Sequence, residues 1–80
     1  MKLPRDIKGV ELARSLSVLG YEVDRQTGSH IRLTTTENGD HHLTIPAHDP
    51  IKIGTLSAIL TDIADHHKIS RDELLRRLKY

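Results

Sequence analysis

The stretch YEVDRQTGSHIRLTTTENGDHHLTI, residues 21–45, decides the fold, because three runs in it alternate apolar and polar side chains at a period of two. These runs predict strands over residues 21–25, 29–35 and 41–45. Two turn sequences separate the strands, Gln26-Thr27-Gly28 and Glu37-Asn38-Gly39. A glycine that ends a three-residue loop is typical of a hairpin whose last loop residue is left-handed. The sequence therefore predicts two consecutive hairpins and a three-stranded antiparallel sheet.

The register of both hairpins follows if the apolar strand residues face the core. The apolar strand residues are Val23, Ile31, Leu33, Leu43 and Ile45. All have odd numbers, and only loops with an odd number of residues keep them on one face of the sheet. The predicted pairs on the solvent face are Asp24 with His30, Arg32 with Thr44, and Thr34 with His42, and His30 also lies opposite Pro46. We therefore expect an exposed His30 beside a carboxylate, at the end of the sheet where His48 leaves the third strand.

Helical periodicity flanks the strands. Val10, Ala13, Leu16 and Leu19, with Leu12 beside them, predict a helix over residues 8–19 that ends at a left-handed Gly20. A second apolar stripe predicts a helix over residues 54–66, and Ser70 with Glu73 forms a capping box for a short third helix. The order α-β-β-β-α-α predicts an α+β fold with the helices on one face of the sheet. We expect residues 1–80 to form a single domain.

Composition narrows the possible functions. The chain has 12 Lys and Arg against 11 Asp and Glu, so it lacks the large basic excess of many nucleic-acid binders. Two tyrosines are its only aromatic residues, which argues against single-strand binding on aromatic platforms. The absence of cysteine excludes a disulfide scaffold, a thiolate nucleophile and a cysteine zinc site. No apolar run follows MKLPRD, so we expect no signal peptide, no membrane span and a cytoplasmic location.

Three segments resemble the HicA-type toxins, which are mRNA interferases of type II toxin–antitoxin systems. They are GSH within RQTGSHIRL, then HHLTIPAH, then IKIGTLSAILTDI, and the resemblance spans roughly residues 8–66 in the same order. It implies a double-stranded-RNA-binding-domain-like fold and metal-independent mRNA cleavage without a cofactor, with His30 of the GSH motif catalytic. It also implies a cognate HicB-type antitoxin that covers the active surface. Ile31 departs from the family, which often has a second polar or aromatic residue there.

The residues near His30 suit cleavage of RNA by its own 2′-hydroxyl, which needs a base, an acid and cations around the phosphate. Histidine titrates near neutral pH and can serve as base or acid. We predict Gly28 as the turn-forming residue and Asp24, Ser29 and His48 as supporting residues, Asp24 by orienting the imidazole. The predicted RNA-phosphate contacts are Arg25, Arg32, Lys52 and Thr55. We expect mRNA as the substrate and no direct binding to DNA.

Two alternatives to this interpretation stay open. The chain could be a non-catalytic RNA-binding or protein-interaction module of the same fold, and His30 discriminates the two because binding alone does not require it. The count of six histidines suggests a metal-carrying protein. However, His41 and His42 point to opposite faces of a strand, and adjacent His66 and His67 suit a helix end, so we predict no metal site. Asp24 has its own alternative, which is simple pairing with a neighbouring arginine.

Overall fold

The computed structural model describes residues 3–80, so Met1 and Lys2 lie outside the described residues. Its elements in chain order are α1 (Gly9–Ser15), β1 (Glu22–Thr27), β2 (His30–Thr35), β3 (His41–Pro46), α2 (Ile53–His67) and α3 (Arg71–Arg77), and a 3₁₀ helix, Leu16–Leu19, continues α1. The strands form an antiparallel sheet in the order β1-β2-β3. This confirms the α+β class and the three-stranded sheet.

The pairing of β2 with β3 agrees with the prediction. His30 lies opposite Pro46, Arg32 opposite Thr44, and Thr34 opposite His42. The alternate residues are buried against the helices, as predicted: Ile31, Leu33, Leu43, Ile45. The connection between the two strands is longer than predicted, residues 36–40, but its length is odd, so the predicted parity is preserved.

The first hairpin differs from the prediction. Its turn consists of Gly28 and Ser29 alone, and Thr27, not Asp24, pairs with His30. A positive φ at Gly28 only, the first of the two turn residues, is the pattern of a type II′ turn. A β-bulge between Val23 and Arg25 then takes up one extra residue of β1 and leaves Asp24 without a ladder partner. The predicted three-residue loop and the predicted pair of Asp24 with His30 are therefore wrong.

Two predicted core residues are exposed. Val23 is 55% exposed because the helices do not cover β1, all of whose residues are exposed. Val10 is 45% exposed, and Leu12 is the residue of α1 that is fully buried. The core lies between the helices and the inner face of β2 and β3, and its fully buried leucines and isoleucines are Leu12, Leu16, Leu33, Ile45, Leu56, Leu60, Ile63 and Leu74.

The helices agree with the sequence in position and in their ends. Gly20 ends the first helical segment in the left-handed conformation, at φ 80°. The second helix extends one residue beyond its prediction at each end. Ser70 Oγ accepts a hydrogen bond from the Glu73 backbone N–H at 3.0 Å, which confirms the predicted cap of α3. Within residues 3–80, no helix is both long enough and apolar enough to cross a membrane.

Candidate functional site

A mostly polar group of residues on the solvent face of the sheet contains three of the predicted site residues, His30, Arg25 and Arg32. His30, Arg32 and Thr34 share this face because they alternate with buried residues along β2. Their neighbours across the two adjacent strands are Thr27 and Pro46 beside His30, Arg25 and Thr44 beside Arg32, and Glu22 and His42 beside Thr34. We call these nine residues the polar strip. It runs from an imidazole, past two guanidinium groups, to a group of carboxylate, hydroxyl and imidazole side chains.

His30 is the first residue of β2 and is exposed. The two-residue turn before it fixes the register and so directs this side chain to the solvent face. Gly28 has φ 55°, a conformation that other residues rarely adopt, and an added Cβ would meet no other atom within 4 Å. The turn conformation, not crowding, therefore favours glycine at this position.

The backbone pairing of β2 with β3 continues past the last strand residue. The Ala47 N–H donates to the Ser29 carbonyl oxygen at 2.6 Å, one residue beyond the pair of His30 with Pro46. Pro46 therefore occupies a position that does not hydrogen-bond to the ladder, and its missing N–H costs no bond. His48 follows directly, exposed and at the same end of the sheet as His30.

The start of α1 holds this extension in place. The Gly9 N–H donates to the His48 carbonyl oxygen at 2.9 Å. Gly9 is buried, and a Cβ at this position would collide with the Pro46 carbonyl oxygen. The close approach of α1 to residues 46–48 thus requires glycine, and it fixes the backbone on both sides of Ala47. Sequence reasoning missed this role, although a glycine at the start of a helix pattern is a visible signal.

Arg25 and Arg32 lie directly opposite each other in adjacent strands, and both are exposed. Two like charges at opposed positions destabilise a sheet. The Asp24 carboxylate offsets part of this repulsion from 3.8 Å away from Arg32 Nε, but both side chains are about half exposed, so the attraction is weak. The pair therefore concentrates positive charge at the centre of the polar strip, where an anion would relieve the repulsion.

Asp24 is not part of the polar strip, but its carboxylate lies beside the end of the strip that is farthest from His30. Thr34 Oγ1 donates to Asp24 Oδ2 at 3.3 Å and lies 2.9 Å from His42 Nδ1. The predicted role of Asp24 in orienting the His30 imidazole is therefore wrong, because the bulge moves the carboxylate toward Thr34. The predicted alternative, a pairing of Asp24 with Arg32, agrees with the structure. Thr34 and His42 are members of the site that the sequence analysis did not select.

A cavity of about 450 Å³ opens beside this end of the polar strip. It is lined by Gly20, Glu22, Val23, Asp24, Thr34, Thr36 and His42. Two of the lining residues are carboxylates, two are threonines and one is a histidine, so the wall is rich in hydrogen-bonding groups.

Lys52 and Thr55 lie outside the polar strip, at the beginning of α2, and both are exposed. The short connection that follows His48 leads to them, and the Ile51 N–H donates to the Ile7 carbonyl oxygen at 2.8 Å within it. Lys52 lines a second cavity of about 340 Å³ together with Arg5, a cation that the sequence analysis did not select.

Residues 9–64 match the family model described as HicA toxin of bacterial toxin-antitoxin. The chain belongs to the HicA toxin family. The match covers more than half of the chain, from the first residue of α1 into α2, and includes the whole polar strip. A HicA toxin is one component of a toxin–antitoxin system, so an antitoxin partner is implied, and toxins of this family are generally ribonucleases.

No curated protein and no solved structure matches the chain. The likeness of this HicA toxin to double-stranded-RNA-binding domains therefore stays a prediction. Its α3 helix, Arg71–Arg77, lies beyond the matched residues.

A second group of histidines in this HicA toxin lies on the helical side of the sheet. Tyr21 Oη is 2.6 Å from His41 Nδ1 and 3.1 Å from His67 Nε2. His41 Nε2 is 3.2 Å from Asp62 Oδ1, and the His66 ring stacks on the His41 ring at 4.3 Å. We call these five residues the tyrosine–histidine cluster, and its role is to join α2 to the sheet.

Burial raises the pKa of Tyr21 well above its usual range, and the nearby Asp62 and Glu37 carboxylates raise it further, so its hydroxyl keeps its proton. Burial also lowers the pKa of His67, with a smaller contribution from the neighbouring His66. In residues 3–80, no three histidine, cysteine or acidic side chains are grouped so that they could hold a metal ion.

Proposed function

We propose that this HicA-family toxin is a metal-independent mRNA endonuclease in which His30 transfers a proton during cleavage. The observation that carries the proposal is the position of His30, an exposed imidazole on the same open face as the opposed Arg25 and Arg32. An imidazole next to a concentrated positive charge supplies both the proton transfer and the charge stabilisation that a phosphoryl transition state requires.

The reaction that fits these groups is an internal transesterification. The 2′-hydroxyl oxygen forms a bond to the adjacent phosphorus, and the bond from phosphorus to the 5′-oxygen breaks. A base removes the 2′-proton, and an acid protonates the leaving 5′-oxygen. The products are a 2′,3′-cyclic phosphate and a free 5′-hydroxyl, and atoms and charges balance without a metal ion or a cofactor.

His48 is the proposed partner of His30 for the second proton transfer. Its backbone is held next to the turn by the hydrogen bonds from Ala47 to Ser29 and from Gly9 to His48. Strand alternation carried past Pro46 assigns His48 to the same face as His30, at a diagonal neighbouring position. Ser29 supports the site through its carbonyl oxygen, which anchors this extension.

The cations of the chain have two proposed roles in RNA binding. Arg25 and Arg32 contact the phosphate next to the cleaved bond, because guanidinium groups can bind two phosphate oxygens at once. Lys52 and Thr55 contact a phosphate farther along the strand, at the N-terminus of α2, where unpaired backbone N–H groups favour anions.

The antitoxin partner is proposed to be a HicB-type protein that covers the polar strip. An active site on an open sheet face has no lid, so covering this face is the simplest way to silence it. Acidic groups on the partner would be attracted by Arg32 and Lys52. Reversing both charges, as Arg32→Glu with Lys52→Glu, should weaken binding of RNA and of the antitoxin together. Calorimetry would measure both affinities for this double variant. If only RNA binding is lost, the antitoxin binds to a surface other than the polar strip.

The experiment that tests the nuclease compares wild-type protein, His30→Ala and Gln26→Ala on single-stranded RNA in excess EDTA. Gln26 is the matched control because it lies near the same turn but pairs with the buried-face residue Ile31. We expect His30→Ala to lower the cleavage rate by roughly 10²–10⁴-fold and Gln26→Ala to leave it unchanged. The cleaved ends should be 2′,3′-cyclic phosphates, and a 2′-deoxy substitution at the cut site should block the reaction.

Three results would contradict the proposal. Undiminished cleavage by a folded His30→Ala protein would show that His30 takes no part in the reaction. If cleavage required a divalent ion, a metal-dependent mechanism would have to take the place of the proposed one. If wild-type protein binds RNA but never cleaves it, the protein is a non-catalytic RNA-binding module, which is the alternative function. The arginine pair would be sufficient for such binding, because binding does not require His30.

A further inference from the structure

We propose that the cavity lined by Glu22, Asp24, Thr34 and His42 binds a guanine base of the RNA and so determines where the strand is cut, an inference that rests on the proposed nuclease function. The cavity and the proposed cleavage site lie on one face of the sheet, with the opposed Arg25 and Arg32 between them. The polar strip would then hold a base, a phosphate and the reacting bond in sequence.

The hydrogen-bond pattern of the cavity determines which groups it can bind. Thr34 has one hydroxyl hydrogen, and Thr34 donates it to Asp24 Oδ2. The 2.9 Å bond between Thr34 Oγ1 and His42 Nδ1 then needs its hydrogen from the imidazole, so Nδ1 carries it. The Glu22 and Asp24 carboxylates can only accept hydrogen bonds, so they favour a ligand that presents N–H donors to the cavity.

Guanine is the base that fits such a set of acceptors. Its N1–H and its 2-amino group are adjacent donors on the Watson–Crick edge, and they match the two oxygens of one carboxylate. Adenine and cytosine place a single amino group next to an acceptor nitrogen, and uracil places one N–H between two carbonyls. Proteins read unpaired RNA bases by hydrogen bonds to this edge. A phosphate, in contrast, would be repelled by Glu22 and Asp24.

Size and distance agree with this assignment. A volume of about 450 Å³ lies in the range of small-molecule sites and can hold a single base. Thr34 is four residues beyond His30 along β2, which is about 13 Å at 3.3 Å per residue. The arginine pair lies halfway between them. An RNA strand that follows β2 can therefore place one phosphate on the arginines while its base and its cleaved bond occupy the two ends of the polar strip.

The test measures binding separately from cleavage by using the His30→Ala protein, which keeps RNA intact. Fluorescence anisotropy would compare an oligouridine that carries one central guanosine with the same oligonucleotide that carries inosine, which lacks the 2-amino group. We expect the inosine oligonucleotide to bind about tenfold more weakly, the scale of one well-made contact to a base edge. Adding Glu22→Gln together with Asp24→Asn should remove that difference.

The matched control is Glu11→Gln in the same His30→Ala background, because Glu11 is an exposed carboxylate on α1, away from the polar strip. This control should retain the preference for guanosine over inosine. Circular dichroism on each variant establishes that the fold is intact before affinities are compared.

Mapping the ends of RNA fragments made by the wild-type protein separates this inference from the nuclease proposal. Cuts at a constant offset from guanosine, which lose that offset in Glu22→Gln with Asp24→Asn, support both proposals. Cuts unrelated to guanosine, or equal binding of the guanosine and inosine oligonucleotides, overturn the base site and leave the nuclease standing. If no cleavage occurs but the guanosine preference exists and depends on the two carboxylates, the base site stands and the nuclease proposal fails. If Glu22→Gln with Asp24→Asn weakens binding of the antitoxin but not of RNA, the cavity is a contact site for the antitoxin, and the proposed base site is wrong.

Discussion

Replacing Tyr21 with phenylalanine removes one hydroxyl group from the contact between α2 and the sheet. Tyr21 is 2% exposed, and its Oη lies between His41 Nδ1, at 2.6 Å, and His67 Nε2, at 3.1 Å. The ring itself would remain in place in the phenylalanine variant. The change therefore tests the hydrogen bonds of the tyrosine–histidine cluster without creating a cavity larger than one oxygen atom.

The size of the effect follows from the direction of these hydrogen bonds. His41 Nε2 donates to Asp62, so Nδ1 of a neutral His41 is an acceptor and takes the Tyr21 hydroxyl hydrogen. Tyr21 Oη in turn accepts from His67 Nε2. The variant leaves both imidazole nitrogens without this partner, and the His41 side chain is only 14% exposed. We expect a loss of about 2 kcal/mol in the free energy of unfolding, because an unsatisfied buried polar group costs roughly 1–3 kcal/mol and these groups are incompletely buried.

Protonation of His67 makes the same cluster sensitive to pH. Burial and His66 lower the pKa of His67 in the folded protein below the value near 6.5 of an unfolded chain. The unfolded state therefore binds more protons as the pH falls below about 6.5, and the stability from neutral His67 is present above that pH and is lost as pH falls through the lowered pKa. The free energy of unfolding should decrease between pH 7 and pH 5, and His67→Gln should reduce that slope.

Urea unfolding followed by far-ultraviolet circular dichroism measures both effects. Tyr80→Phe is the matched control, since the Tyr80 hydroxyl makes one exposed contact of 3.3 Å to Ser15 Oγ. We expect this control to unfold within about 0.5 kcal/mol of wild type, as exposed substitutions usually do. For Tyr21→Phe, a loss of about 2 kcal/mol corresponds to a fall in Tm of roughly 8–16 °C for a domain of this size. Equal stabilities of the two variants would refute the proposed hydrogen-bond pattern.

Three further predictions concern the ends of the helices and the turn end of the sheet. Gly9→Ala should lower the free energy of unfolding by about 1–3 kcal/mol and slow RNA cleavage, because the added Cβ collides with the Pro46 carbonyl oxygen. Thermal unfolding and the cleavage assay measure these two effects, and a Tm equal to that of wild type would contradict the prediction. Ser70→Ala should cost about 1 kcal/mol in urea unfolding through loss of the cap on the Glu73 N–H, with RNA cleavage unchanged. His48→Ala should remove one limb of the pH–rate profile with RNA affinity unchanged, and a profile that keeps both limbs would exclude His48 as the second proton-transfer group.

The register of β2 and β3 could be predicted from the sequence because two constraints agreed there. Alternating apolar residues defined one face of each strand, and the loop between Thr35 and His41 had to be odd in length. The first hairpin offered no such agreement. Gly28-Ser29 is itself a signal for a two-residue turn, in competition with the three-residue loop that ends at Gly28. A bulge at Asp24 leaves no periodic trace, since it shifts the pattern by a single residue.

The exposure of Val23 has a different cause. Strand periodicity predicts which face a side chain takes, but not how far the helices extend across the sheet. The helices leave β1 uncovered, so an inward-facing residue of that strand remains exposed. The extent of helical coverage depends on the packing of α1 and α2 against β2 and β3, which is a tertiary property.

The positions of the site residues could be predicted where they depend on the pairing of β2 with β3, but not where they depend on the first hairpin. His30, Arg32 and Thr34 could be assigned to one face because their register depends only on β2 and β3. Asp24 depends on the first hairpin, and the bulge moves its carboxylate from the histidine end of the polar strip to the cavity end. This separation has a chemical consequence. The Glu22 and Asp24 carboxylates, which would repel RNA phosphate, lie away from the proposed reacting bond, and the arginine pair lies between them and that bond. The part of the face that carries these two negative charges is the part proposed to read a base.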